Sequence, residues 1–274
     1  MDRTYNIEDL KRLMERLRDP QYGCPWDLKQ TYQSIAPFTL EECLELIDAL
    51  EQADYQHVEE ELGDLLFQVI FYAQLGKEEG RFDFDSVVSG ITSKLLRRHP
   101  HVFKDGELEG LIEDRTSMAS IKANWEKTKA KERADRLQTS IMDDVPTTLG
   151  ALSRAQKLQK RAATVGFDFS STDDVSARLL AEYRELEKAM ASSDPNEIEN
   201  ELGDVLFTVV NIARHLKIDS ETALRKANRR FESRIRSAES EAALEGSSLA
   251  DESAERLDER WHKAKQKEKN KHGL

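Results

Sequence analysis

The chain repeats itself, and that repeat limits its architecture more than any other feature. Residues 61–74 read ELGDLLFQVIFYAQ and residues 201–214 read ELGDVLFTVVNIAR, with eight of these fourteen positions identical at an offset of 140. The same offset carries Glu42 onto Glu182 and Glu45 onto Glu185. Further on the offset falls to 136, which lays Lys94, Leu95 and Arg98 over Arg230, Phe231 and Arg234. It also lays the segment from Trp125 (WEKTKAKER) over the segment from Trp261 (WHKAKQKEK). The difference of four fits extra loop residues of the first copy around Gly76 to Gly80. Earlier in the chain, Trp26-Asp27 has an echo in Phe167-Asp168. Colinear landmarks of this kind predict one supersecondary unit built twice. The junction lies near residues 138–150, where Asp143-Asp144-Val145-Pro146 breaks the helical pattern. The predicted domains are residues 1–140, ending in a charged helical linker, and residues 141–274.

The repeated unit reads as helical. Leu10, Leu13, Met14 and Leu17 follow helical spacing up to Asp19-Pro20. Residues 20–38 are rich in turn formers and aromatics and read as a structured loop. Leu40, Leu44 and Ile47 mark a second helix with Thr39 as its expected N-cap. Leu62, Leu65, Leu66, Val69, Ile70 and Ala73 mark a third, and Val87, Val88, Ile91, Leu95 and Leu96 a fourth. The second copy repeats the scheme with Leu179, Leu186, Leu202, Val205, Leu206, Val209 and Leu216. Period-two alternation is not sustained anywhere. Gly (12) and Pro (6) are sparse beside 34% charged residues, which suits amphipathic helices with solvated faces. The expected fold is all-α: two tandem copies of a small helical bundle, each needing the other copy or a second chain to close its core.

A formal charge of -12 repels phosphate backbones, so stable nucleic-acid binding is not expected. A small phosphorylated ligand stays compatible with such a surface if a metal neutralises the site locally. Cys24 and Cys43 are too few for a disulfide framework and form no CxxC pair, so reduced thiols are expected. The opening MDRTYNIEDLKRLMERLRD has no apolar h-region, and no window has the apolar length of a membrane span. A soluble, cytoplasmic protein with no membrane partner is the expectation.

The candidate chemistry lies in the acids. On a helix, residues i and i+3 share a face, so Glu42 projects with Glu45, and Glu61 with Asp64. Sixteen residues separate Glu45 from Glu61 and sixteen separate Glu185 from Glu201, enough for helix, turn and helix. If the two helices pack antiparallel, four carboxylates converge, and their repulsion calls for a cation. Hard oxygen ligands favour Mg²⁺, with Mn²⁺ as a substitute. A single E-x-x-E pair in so acidic a chain is ordinarily a solvated face. Two pairs on neighbouring helices, interrupting an apolar stripe and present in both copies, point to metal. Di-iron bundles use Glu-x-x-His, and neither copy has His there. Gly63 and Gly203 each cost their helix roughly 1 kcal/mol relative to Ala, which close approach of a backbone or ligand would justify.

A triphosphate needs further cations. Lys94, Arg97 and Arg98 cluster late in the first copy, and Lys226, Asn228, Arg229, Arg230 and Arg234 in the second; Arg178 joins this substrate-contact set. Each of them alone is as well read as part of a solvated basic face. His99-Pro100-His101 reads as a helix stop with polar caps. Trp26 and Phe38 in the first copy, and Phe167 and Phe169 in the second, flank the acidic helices and are candidates to stack on a base, although core packing is the commoner fate of such rings.

Together these segments resemble MazG, the two-domain nucleoside triphosphate pyrophosphohydrolase family. The first copy carries MERLRDPQYGCPWDLKQTYQSI, LEECLELIDAL, EELGDLLFQVIFYAQ and KLLRRHPHVF. The second carries ALSRAQKLQKRA, VGFDF, ENELGDVLF and KANRRFESR, so the likeness spans nearly the whole chain. The resemblance implies an all-α fold intertwined in a homodimer and dependence on Mg²⁺. It implies cleavage of many ribo- and deoxyribonucleoside triphosphates between the α and β phosphates. By family pattern Glu182, Glu185, Glu201 and Asp204 would form the metal-binding and catalytic set of the second copy. Arg230 and Arg234 would contact phosphate there, with Lys226 and Asn228 nearby. The matching first-copy set is Glu42, Glu45, Glu61 and Asp64 with Lys94 and Arg98. The family's EExxE is met by Glu41-Glu42-x-x-Glu45, whereas the second copy has Ala181 before Glu182. Arg230 stands where the family often has lysine. The second domain usually does the work in such proteins. Here the missing acid leaves open which copy is active, and Glu41 is a candidate to orient or deprotonate the attacking water. Two rivals stand beside this reading: a hydrolase narrow for dUTP or a modified nucleotide, and a non-catalytic helical module that senses nucleotide.

Overall fold

The computed structural model describes residues 4–110 and 140–272, with Ser117, Ser120 and Ile121 between them. Residues 122–139, which include Trp125 and the charged run expected as a linker at the end of the first domain, lie outside the described residues. The chain divides into two compact units, Met1–Glu132 and Arg133–Leu274. Among the described residues there is no strand. Their helices are α1 (Ile7–Leu17), α2 (Tyr32–Gln52), α3 (Tyr55–Glu78) and α4 (Phe84–Arg98) in the first unit. The second unit has α5 (Ala151–Ala163), α6 (Thr172–Ser192), α7 (Pro195–His215), α8 (Ser220–Leu244) and α9 (Ala254–His272). No helix among the described residues is long and apolar enough to cross a membrane.

Local chemistry sets the helix ends. Asn6 accepts the N–H groups of Glu8 and Asp9, and the Asp9 carboxylate accepts the Asn6 N–H, a reciprocal cap for α1. Helix α2 begins at Tyr32, inside the segment expected to be a loop, because Thr31 and Ser34 make the same reciprocal cap. Pro37 sits inside this helix, where its fixed φ is compatible with the helical turn. Thr39, expected as the cap, instead donates its hydroxyl to the Ile35 carbonyl at 3.2 Å. Phe38 is therefore helical, edge-on to the Trp26 ring at 6.0 Å.

The corner between the two acidic helices is the same in both units. Ala53 closes α2 at φ 57° and Asp54 caps α3 by accepting the His57 N–H. Ser193 closes α6 at φ 59° and Asp194 caps α7 by accepting the Asn196 N–H, with Pro195 first in the helix. A left-handed residue ends one helix and an Asx cap starts the next, so the pair folds back antiparallel within two residues.

The first unit's core gathers Met14, Ile35, Ile70, Phe71 and Leu75, with Tyr32 and Tyr72 stacked beside it at 6.0 Å. Arg18 is buried against this core, 5.3 Å from the Phe71 ring centre, donating to the Asp27 carbonyl and to both oxygens of Glu78. Other apolar positions stay open. Leu62, Leu66 and Val69 on α3 and Leu202, Leu206 and Val209 on α7 are 39–52% exposed, so this part of the apolar stripe is not covered within either unit.

In the second unit α9 folds back on α8 around Arg260. This guanidinium is 1% exposed and donates to Glu252 at 2.6 and 2.5 Å and to Glu245 at 2.8 Å. The adjacent Trp261 packs on Phe231 at 5.5 Å and beneath Arg234 at 5.1 Å. Arg260 pushes the Glu252 carboxyl down to about 2 from an ordinary 4.5. A depressed carboxyl stabilises the fold above its unfolded pKa, and that contribution is lost as pH falls through the folded value. Acidification from about pH 4.5 to about 2 should therefore loosen α9, read as a change in Trp261 fluorescence over that window, and Glu252→Gln should lower the melting temperature at neutral pH and flatten the transition.

Candidate metal centre

The tight corner decides how the acids meet. Glu45 and Glu61 each lie eight residues from Ala53, and Glu42 and Asp64 each lie eleven from it. In the second unit Glu185 and Glu201 lie eight residues from Ser193, and Glu182 and Asp204 eleven. In an antiparallel hairpin, residues equidistant from the corner stand at the same height, here roughly 12 and 16 Å along the axis at 1.5 Å per residue. The four carboxylates of each copy thus share two adjacent levels. Glu42, Glu45 and Glu61 each bring an oxygen within 4.8 Å of the others, as do Glu182, Glu201 and Asp204. Asp64 and Glu185 stand just beyond these triads and act on them electrostatically. Burial first, and then Asp64, Glu45 and Glu61, push the Glu42 carboxyl up. Burial first, and then Glu185, Asp204 and Glu182, push the Glu201 carboxyl up.

The most buried acid of each copy is clamped at one oxygen. His57, one turn before Glu61 on α3, places Nε2 2.7 Å from Glu61 Oε1. Arg178, one turn before Glu182 on α6, places Nε 2.5 Å from Glu182 Oε1. The other oxygens, Glu61 Oε2 and Glu182 Oε2, are buried without a partner, as is Glu201 Oε2. Buried carboxylate oxygens without donors, set among like charges, are costly unless a cation accepts them. An all-carboxylate donor set of this kind fits a hard divalent ion such as Mg²⁺ or Mn²⁺. The Gly63 and Gly203 positions face open space: among the described residues, nothing outside the adjoining turns of their own helices lies within 4 Å of a Cβ placed there, so no other described backbone approaches them.

The remaining candidates are placed as follows. Glu41 is exposed on α2 and adds to the charge that raises Glu42. Lys94 is half-buried on α4, and Arg97 and Arg98 form its last turn. Lys226, Asn228 and Arg230 are exposed along α8. Arg234, farther along α8, is bound at Nε to Glu268 on α9 at 2.7 Å. Trp26 is 52% exposed, and Phe167 is 81% exposed and so does not pack in a core. His57 was not among the sequence candidates, although its position four residues before Glu61 carried the signal of a helical i,i+4 pair.

The model of the MazG nucleotide pyrophosphohydrolase domain matches residues 30–103 and again residues 170–238. A protein of Escherichia coli K12 named nucleoside triphosphate pyrophosphohydrolase is 46% identical over 264 residues, covering 96% of this chain and 98% of that one. A protein of Thermotoga maritima named nucleoside triphosphate pyrophosphohydrolase/pyrophosphatase MazG is 40% identical over 259 residues, covering 94% and 95%.

Crowded acids destabilise a metal-free fold. A carboxyl with a raised folded pKa contributes stability that is present below about 4.5 and lost as pH rises through the folded value. In chelator at pH 7, Glu42→Gln and Glu201→Gln should each raise the melting temperature. Added Mg²⁺ should raise that of wild type more than that of either variant. Scanning calorimetry checks both, and a lower melting temperature in both metal-free variants would refute the crowding.

Proposed function

Because the chain belongs to the MazG nucleotide pyrophosphohydrolase family, we propose that it hydrolyses nucleoside triphosphates to nucleoside monophosphate and pyrophosphate at carboxylate sites that hold Mg²⁺. The observation that carries this reading is the level set of acids with unpartnered buried oxygens, present once in each unit. Glu42, Glu45, Glu61 and Asp64 would hold the ion in the first unit, and Glu182, Glu185, Glu201 and Asp204 in the second. When bound, the ion polarises phosphoryl oxygens and lowers the pKa of an attacking water.

The chain's own groups do the rest. His57 and Arg178 fix one oxygen of Glu61 and Glu182, which leaves the second oxygen directed away from the clamp. Glu41 is exposed beside the first cluster and orients or deprotonates the water there; Ala181 offers the second copy no such group. Lys94, Arg97 and Arg98, and Lys226, Asn228, Arg230 and Arg234, supply positive charge and donors to the phosphates. Arg178 keeps its Nε on Glu182 and has its remaining guanidinium donors to offer a phosphate. Trp26 stacks on a base in the first unit. The substrates span ribo- and deoxyribonucleotides of several bases.

A homodimer completes the reading. The open apolar stripes of α3 and α7 lie on the same helices as the acids, and exposed apolar faces of this extent are normally covered by a protein surface. A second copy supplies one of matching character.

Pyrophosphate release from a panel of nucleoside triphosphates with Mg²⁺, comparing wild type with Glu61→Gln and Glu201→Gln, tests this. Loss of a ligand should cost more than the roughly 100-fold that even an outer partner of a metal ligand can command. A loss confined to one variant assigns catalysis to that unit. A wild-type protein that releases no pyrophosphate from any member of the panel sinks the proposal, and release from one nucleotide alone makes the enzyme a narrow one.

A further inference from the structure

Helix α9 grips one residue of α8. The Arg234 guanidinium lies over the Trp261 ring, 5.1 Å from its centroid, and its Nε donates to Glu268 Oε2 at 2.7 Å. Trp261 and Glu268 are seven residues apart, so they share one face of α9, two turns from each other. Trp261 is braced in turn by Phe231, with ring centroids 5.5 Å apart. The side chains of Arg234 and Glu268 are only 19% and 23% exposed. Glu268 is the one acid from Arg260 to the end of the chain, in a stretch that includes Lys263, Lys265, Lys267 and Lys269. Lys265, one turn earlier on the same helix, is the local partner such an acid ordinarily takes. The carboxylate pairs across to α8 instead.

The pair is not what fastens the two helices. Buried Arg260 binds Glu245 and Glu252, and Lys267 binds Glu241. Ala238 and Ala242 on α8 and Ala264 on α9 are buried, small side chains that let the helices come close. What the pair does is orient Arg234. A bond at Nε and a ring against the guanidinium plane hold it in two directions. Among the described residues nothing accepts from Nη1 or Nη2, the edge that forks onto two phosphate oxygens. An arginine already held this way gives up less conformational freedom when a phosphate arrives.

The repeat keeps the same three residue types together. At the offset of 136 that pairs Trp125 with Trp261, Arg98 stands for Arg234 and Glu132 for Glu268. Both copies therefore carry Arg, Trp and Glu at the same separations, while other positions between Trp and Glu differ.

We infer that Glu268 is a positioning residue: with Trp261 it holds the Arg234 guanidinium so that Nη1 and Nη2 are presented to the phosphates of the nucleotide. The inference deepens the proposed function and rests on it for Arg234 as a phosphate contact; the clamp on Arg234 stands on the geometry alone.

Titration calorimetry on the full-length chain with Mg²⁺ tests this without turnover. The ligands are inorganic tripolyphosphate and a nucleoside triphosphate with a methylene group in place of the oxygen between the α and β phosphorus atoms. Arg234→Ala should weaken binding of both. Glu268→Ala should weaken both on the order of ten-fold, as loss of a partner that orients a ligand-holding group does. Glu268→Gln, whose amide oxygen still accepts from Nε, should lose less. In the Arg234→Ala background Glu268→Ala should cost nothing more, since its effect runs through the arginine. An equal cost in both backgrounds would mark a merely structural contact and overturns the inference. So does wild-type binding by Glu268→Ala when Arg234→Ala is weakened. Tighter binding by Glu268→Ala also overturns it, because the glutamate then competes with the phosphates. Failure of the underlying reading has its own pattern: Arg234→Ala binds both ligands as wild type does, and the inference falls with it.

Discussion

The two-residue corner between the acidic helices, Ala53-Asp54 and Ser193-Asp194, governs the geometry of each unit. It allows no slippage: a left-handed residue ends one helix and an Asp side chain begins the next, so the two helices run back along each other in one register. With that register fixed, acids spaced eight and eleven residues from the corner on both sides must face one another. Burial first, and then their mutual repulsion, push the carboxyls of Glu42 and Glu201 up. The apolar stripes beside them are equally bound to these helices. Both features leave the isolated unit unsatisfied, one in charge and one in exposed surface. The proposed cation and second copy are what would relieve them.

Duplication has preserved this hairpin while its surroundings diverged. The clamp on the buried acid comes from His57 on the second helix of one pair and from Arg178 on the first helix of the other. Position 197, the counterpart of His57, is a glutamate whose carboxylate accepts from Ser192. An imidazole and a guanidinium give the two acid clusters different donors. Behind the clusters, Arg18 on Phe71 has become Gln159 and Asn211. The outcome is two units with one scaffold and unlike interiors, which is how a repeat can keep its fold and divide its labour.

Much of this was legible in the residues. Helical spacing located the four helices of the first copy, and the repeat transferred them to the second. The E-x-x-E and E-x-x-D pairs gave the acids, since faces on one helix follow from its pitch. The start of α2 was misplaced because Pro37 and the aromatic run suggested a loop. The helix instead starts at the Thr31–Ser34 cap and runs through Pro37, which has a φ that suits a helix but no N–H for the Gln33 carbonyl. His57 escaped notice because one histidine near one glutamate is unremarkable until burial makes its hydrogen bond matter.

The sequence by itself determined the helical class, the duplication and the eight acids, because those depend on periodicity and identity along the chain. Only the tertiary structure decided which carboxylate oxygens are buried without donors, which side chains hold the opposite oxygens, and that Gln159 and Asn211 meet at a cavity among three phenylalanines. Residue 211 lies more than forty positions after 159 and 167, and whether such groups touch depends on how helices pack, which no local pattern encodes. Burial is a property of neighbours, and it is burial that turns an ordinary amide or carboxylate into a group in need of a ligand.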